Sequence, residues 1–285
     1  MIVVTGATGR LGGGIVAALL ARMPAEQIGV SARDPLAATD LAERGVRVRF
    51  GDFAEPDSLG PAFEGARQLL LVSSNAEAQG GDAVAQHRDA IAAAMAAGVE
   101  RIVYTSHMGA SATSAFAPMR GHAATEALLA RSGLRWTALR NGFYASTVQA
   151  ILQTVPGDLI ETPQDGKVCW TAHADLADAA AAVLLDEGRF DGPTPPLTAA
   201  EALDFADIAR VLTGLRGSPV VWKAIPDDAL QARLRGLGVS DRVIDVMLGL
   251  YRAARAGDFA ATDSTLGALI GRQPRTLAEV LARPV

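Results

Sequence analysis

The chain has 285 residues, enough for one or two domains and a large buried core. Hydrophobic residues make up 49% and charged residues 20%, which excludes a disordered chain and a coiled coil. A net charge of −5 argues against a basic nucleic-acid-binding face, and a single cysteine, Cys169, excludes a disulfide framework and any multi-cysteine metal site.

Residues 2–5 form an apolar run too short for a helix and ending at glycine, which predicts a buried strand. Helix 12–21, strand 28–32, helix 36–44, strand 46–50 and helix 57–63 follow. Strand 68–73, helix 83–97, strand 101–105, helix 119–131 and strand 136–140 complete the series. This alternation, with near-continuous apolar strands, predicts an α/β fold with a doubly wound parallel sheet. Beyond residue 140 the rhythm changes to a helix over 142–153, a Gly/Pro-punctuated stretch over 156–165 and a helix over 174–186. A loop over 192–196 and mostly short helices over 203–285 come next, with one strand candidate at 219–222.

The expected organisation is a Rossmann-type domain over 1–140, with 174–200 packing back on it. A smaller, mainly helical substrate lobe comprises 141–173 and 201–285, with a cleft between the two. Residues 1–6 lack a basic targeting segment, and no window is apolar enough to span a bilayer. A cytoplasmic protein with no membrane or nucleic-acid partner is expected, and a homodimer is compatible with this reading.

Between the first strand and first helix lies Thr5-Gly6-Ala7-Thr8-Gly9-Arg10-Leu11-Gly12. Gly6 permits a sharp turn, Gly9 lets backbone approach a pyrophosphate, and Gly12 allows close helix packing. The helix N-terminus would present free N–H groups to phosphate, so Gly6, Thr8, Gly9, Arg10, Leu11 and Gly12 are candidate cofactor contacts. At the end of the second strand the residue is Arg33, not an acidic ribose ligand, which favours the 2′-phosphate of NADP(H). Arg10 could flank that phosphate, whereas Asp34 is placed to reach a ribose hydroxyl. Asp52 and Phe53 either cover the adenine or cap a turn. Ser73, Ser74 and Asn75 either meet the cofactor or cap the fourth strand.

Several blocks occur in order: Thr5 to Gly12, Arg33-Asp34-Pro35, Gln86-His87-Arg88, Tyr104-Thr105-Ser106, and Leu139-Arg140-Asn141-Gly142-Phe143-Tyr144. Together they resemble the NmrA-like branch of the extended short-chain dehydrogenase/reductases, in particular its bacterial NADPH-dependent quinone oxidoreductases and triphenylmethane reductases. The resemblance implies NADPH as cofactor and a small aromatic or quinone substrate. It also implies cofactor contacts from Arg140, Asn141 and Gly142, an acceptor wall of Phe143 and Tyr144, and a contact from His173, where a related reductase carries arginine. Ser106 stands at the superfamily's catalytic serine position.

The superfamily's Tyr-x-x-x-Lys dyad is absent. Met108, Val148 and Arg255 lie four residues after the three tyrosines, and proline precedes each of the two lysines, Lys167 and Lys223, by four. At the dyad's place stand His122 and Glu126, one helical turn apart. The candidate catalytic groups are His122, Tyr104 and Ser106, with a structural His122 hydrogen-bonded to Glu126 or to a backbone carbonyl as the other reading. Reducing a ketone creates a basic alkoxide that needs an aligned acid, whereas a reduced quinone is phenol-like, with a pKa of about 10. The missing dyad therefore favours NADPH-dependent hydride transfer to quinones or other conjugated acceptors. The alternative is a non-catalytic NADP(H) sensor that regulates a protein partner. His87 and His107 show no metal-ligand spacing, so no metal is expected.

Overall fold

The computed structural model describes residues 1–153 and 157–282. Strand β1 (Ile2–Thr5) is buried along its whole length, as a strand covered on both faces must be. Then come α1 (Arg10–Leu20), β2 (Ile28–Ala32), α2 (Thr39–Glu43), β3 (Arg47–Phe50), α3 (Leu59–Phe63) and β4 (Gln68–Leu71). They are followed by α4 (Ala83–Ala96), β5 (Arg101–His107), α5 (Ala117–Arg131) and β6 (Arg135–Asn141). The helices predicted over 36–44 and 57–63 each begin as a 3-10 turn, Pro35–Ala38 and Pro56–Ser58, and each turn opens on a proline, whose missing N–H has no partner to lose there.

The later elements are β7 (Phe143–Tyr144), α6 (Ala145–Gln153), β8 (Leu159–Pro163), β9 (Trp170–Thr171), α7 (His173–Leu185) and β10 (Gly192–Pro193). The chain ends with α8 (Phe205–Arg216), β11 (Val221–Ile225), α9 (Asp227–Gly236), α10 (Asp241–Arg255), α11 (Thr265–Ile270) and α12 (Leu277–Leu281). Among the described residues, seven strands form one sheet in the order β10-β6-β5-β4-β1-β2-β3. The pairings are parallel, with Thr5 opposite Ser31, Val4 opposite Leu70 and Leu71 opposite Tyr104. Strand order reverses between β1 and β4, and in such sheets ligands bind outside the carboxyl ends of the strands at that reversal.

Two compact units result. The first contains Met1–Ser106, Gly121–Arg140 and His173–Pro195. Its core joins Val3, Leu69, Leu71, Ile102 and Tyr104 of the sheet to Phe63, Ile91 and Leu129 of the helices. The second contains His107–Arg120, Asn141–Ala172 and Pro196–Val285. Its core is strongly aromatic: Phe143 packs edge-on against Trp170 and Phe259 at 5.4 and 5.0 Å, and Trp170 meets Phe205.

Three expectations need correction here. The helix predicted over 142–153 begins only at Ala145, because Phe143 and Tyr144 pair as a strand with Trp170 and Thr171. The Gly/Pro-punctuated stretch over 156–165, given no element from sequence, contains β8, whose partner β11 lies some sixty residues away in sequence, although Pro156 itself lies outside the described residues. The strand predicted over 219–222 runs Val221–Ile225, and the 192–196 loop supplies the short edge strand β10. The predicted helical stretch to 285 is described only as far as Ala282.

Candidate cofactor and active site

The glycine loop turns tightly at the carboxyl end of β1. Gly6 has φ +61°, and its carbonyl accepts the Gly9 N–H at 3.0 Å. A Cβ on Gly12 would lie 2.2 Å from the Gly6 carbonyl oxygen, so only glycine fits there. Helix α1 has no side-chain cap and no acidic residue in its first turn. Its first ladder bond is from Gly13 N–H to Gly9 O, which leaves the amides of residues 10–12 outside the ladder. Such an end favours a phosphate group. Thr8 is exposed on the loop, whereas Leu11 is buried beneath it.

Arg10 and Arg33 are both exposed, and neither makes a hydrogen bond or ion pair among the described residues. The pairing of β1 with β2 makes the loops that carry them neighbours. Asp34 is occupied differently: its carboxylate accepts the Leu36 N–H at 3.0 Å and caps the following turn. The site can therefore hold a dinucleotide, with amides for the pyrophosphate and cationic side chains for a further phosphate.

Asp52 accepts the Ala54 N–H at 2.9 Å, and Phe53 packs edge-on to His87 with ring centroids 6.4 Å apart. At the end of β4, Ser73 N–H donates to Thr105 Oγ1 at 2.8 Å. Ser74 Oγ donates to Gln86 Oε1 at 2.5 Å, while Asn75 is exposed. His87 anchors this edge: its Nε2 accepts the Ser74 N–H at 2.8 Å, and its Nδ1 lies 2.9 Å from Thr125 Oγ1. Thr125 already donates its proton to Gly121 O, so His87 is neutral with the proton on Nδ1. Burial pushes its pKa down to about 3. Nothing in the sequence around His87 announces this role, because buried polar cross-links of this kind leave no periodic signal.

Helix α5 meets β5 through two polar rungs. Tyr104 Oη and His122 Nδ1 are 2.8 Å apart, and Ser106 Oγ donates to Glu126 Oε1 at 2.6 Å. The His122–Glu126 pairing considered from their spacing is thus replaced, since each reaches the sheet instead. Glu126 also takes two bonds from Arg140, Nε at 3.1 Å and Nη2 at 2.7 Å, so the Arg140 guanidinium is committed within the protein. Burial lowers the His122 pKa to about 4, so the imidazole is neutral at pH 7 and does not titrate near neutrality as a free histidine does. His173 opens α7; burial first, then the charge of Arg10, lowers its pKa to about 4.

Within the second unit, Asn141 is buried and its Oδ1 has no hydrogen-bond partner among the described residues. Burial raises the Tyr144 phenol, against a hydrogen bond with Asn141 that lowers it. Gly142 N–H donates to Leu197 O at 2.8 Å, and Phe143 lies 5.1 Å from the His107 ring. Cys169 is buried, with Sγ near the carbonyls of Ala260 and Ala261 and its pKa raised to about 11 by burial, so it is inert. Both lysines are paired with carboxylates, Lys167 with Asp204 and Asp207 and Lys223 with Glu161. Among the described residues no cluster of ligating side chains suits a metal, and no helix is long and apolar enough to cross a membrane.

The NAD(P)H-binding family model matches residues 6–187. The chain belongs to the NAD(P)H-binding family. It is 36% identical to quinone oxidoreductase 2 of Escherichia coli K12, over 98% of this chain and 96% of that one. The crystal structure of the E. coli NADPH-dependent quinone oxidoreductase complexed with NADPH superposes with a TM-score of 0.89 at 34% identity, covering 99% of both chains. Citrobacter sp. triphenylmethane reductase complexed with NADP(H) matches with a TM-score of 0.87 at 32% identity, over 99% of this chain and 100% of that one. An NmrA-like family domain-containing oxidoreductase of Aspergillus flavus is 30% identical over 95% of this chain and 90% of that one. These names favour an enzyme over a sensor.

Proposed function

We propose that this protein is an NADPH-dependent oxidoreductase that reduces a quinone or a similar conjugated acceptor. The observation that carries the reading is that His122 and Glu126 stand where the superfamily has tyrosine and lysine, with the His122 imidazole 2.8 Å from Tyr104 Oη and held neutral by burial. The near-full-length likeness to a quinone oxidoreductase and a triphenylmethane reductase supports the same acceptor class. NADPH, when bound, supplies the hydride from its nicotinamide ring.

The amides of residues 10–12 would hold the pyrophosphate, Arg10 and Arg33 the 2′-phosphate, and the ends of β4 and β5 would flank the rest of the cofactor. Tyr144 is assigned to contact with the aromatic acceptor, whereas Phe143, expected beside it, is taken up in the aromatic core of the second unit. His122, 2.8 Å from Tyr104 Oη, is assigned as the group that orients the reduced oxygen. Water completes the protonation, because the product is phenol-like.

The test is nicotinamide absorbance under single-turnover conditions, with and without benzoquinone. Oxidation should occur only with the quinone; tight NADPH binding without oxidation across a broad acceptor panel would overturn the reading. His122→Ala should lower kcat about 10- to 100-fold. The wild-type rate should show no histidine titration between about pH 5.5 and 8.

A further inference from the structure

Ser106 has one hydroxyl proton, and the structure commits it. Its Oγ lies 2.6 Å from Glu126 Oε1, a carboxylate clamped by two Arg140 nitrogens at 3.1 and 2.7 Å. An ionised carboxylate accepts hydrogen bonds and cannot donate one, so Ser106 must be the donor in this pair. Toward anything else Ser106 can act only as an acceptor. Ser106 and Glu126 are both buried, which keeps water from competing for that proton.

We propose that Glu126 is a positioning and specificity-determining residue: it holds the Ser106 proton away from the acceptor and so disfavours simple ketones and aldehydes. This rests on the quinone reading above. Reducing such a carbonyl places a hydride from the nicotinamide on carbon and moves the C=O electron pair onto oxygen, which then takes a proton from water. The alkoxide formed on the way needs an oriented donor, whereas a reduced quinone does not. A hydroxyl at the carboxyl end of β5 would be such a donor if Glu126 did not claim its proton.

The experiment compares wild type with Glu126→Ala, Ser106→Ala and the double variant Ser106→Ala/Glu126→Ala. A further variant, Glu126→Leu/Arg140→Leu, removes every acceptor for the Ser106 proton together with the charge of Arg140, should a lone Arg140 impair folding. NADPH affinity is measured by cofactor fluorescence without acceptor, and kcat/KM is measured for benzaldehyde and for benzoquinone. Freeing Ser106 should raise the benzaldehyde-to-benzoquinone ratio by about tenfold or more, at NADPH affinity close to wild type. Removing Ser106 as well should abolish that gain.

An unchanged ratio in both Glu126 variants, or a gain that survives Ser106→Ala, would overturn the proposal. Failure of wild type to reduce benzoquinone would instead count against the quinone reading alone. The Ser106-dependent turnover of benzaldehyde is read separately from it.

Discussion

At the scale of single residues, the cofactor assignment turns on side chains that the structure leaves without partners. Arg33 is exposed and unpaired among the described residues, while its neighbour Asp34 is consumed by a turn. The sequence alone could not separate these two, because both sit at the tip of β2. Hydrogen bonding separates them. Arg33→Glu should raise KM for NADPH far more than for NADH, by about 10-fold or more, since it replaces a charge-assisted phosphate contact with repulsion. Steady-state kinetics with both cofactors measures this, and equal changes would show that Arg33 does not read the 2′-phosphate. Arg140, near the end of β6, is the opposite case: the family resemblance implied a cofactor contact, but its guanidinium is engaged by Glu126.

At the scale of elements, α5 is attached to β5 by matched repeats. Two residues along a strand span about 6.7 Å and four along a helix about 6 Å, so Tyr104–His122 and Ser106–Glu126 can form together. The i, i+4 spacing of His122 and Glu126 was legible in the sequence, but which groups faced them was not. The glycine loop was legible because its geometry is local. There Gly12→Ala should destabilise the protein by about 1–3 kcal/mol and impair NADPH binding, because the methyl meets backbone that cannot move aside. Gly214 on α8 has nothing within 4 Å of its would-be Cβ, so Gly214→Ala should stabilise the helix by up to about 1 kcal/mol. Urea midpoints of the two variants should therefore move in opposite directions.

At the scale of the whole molecule, buried histidines couple stability to pH. His87, His122 and His173 are lowered to about 3, 4 and 4, so the unfolded chain takes up their protons first as pH falls below about 6.5. Their contribution is fully present above that pH and is lost on acidification toward pH 4. Asp165 acts oppositely: burial raises it to about 6, so the folded state binds its proton first and gains stability below that pH. Three groups outweigh one, and the urea midpoint should fall between pH 7 and 4.5 by at least the equivalent of about 1 kcal/mol. A midpoint that stays level would refute this balance.

The sequence by itself determined the α/β class, the phosphate loop, the absence of the tyrosine–lysine dyad and most of the sheet, because each is written in local spacing or short apolar runs. Only the tertiary structure decided that Phe143 and Tyr144 form a strand, that β8 pairs with β11, and that Glu126 claims Ser106 and Arg140 while His122 turns to Tyr104. Those outcomes depend on partners far apart in the chain, and a residue's own neighbours carry no record of which distant group will take its hydrogen bond.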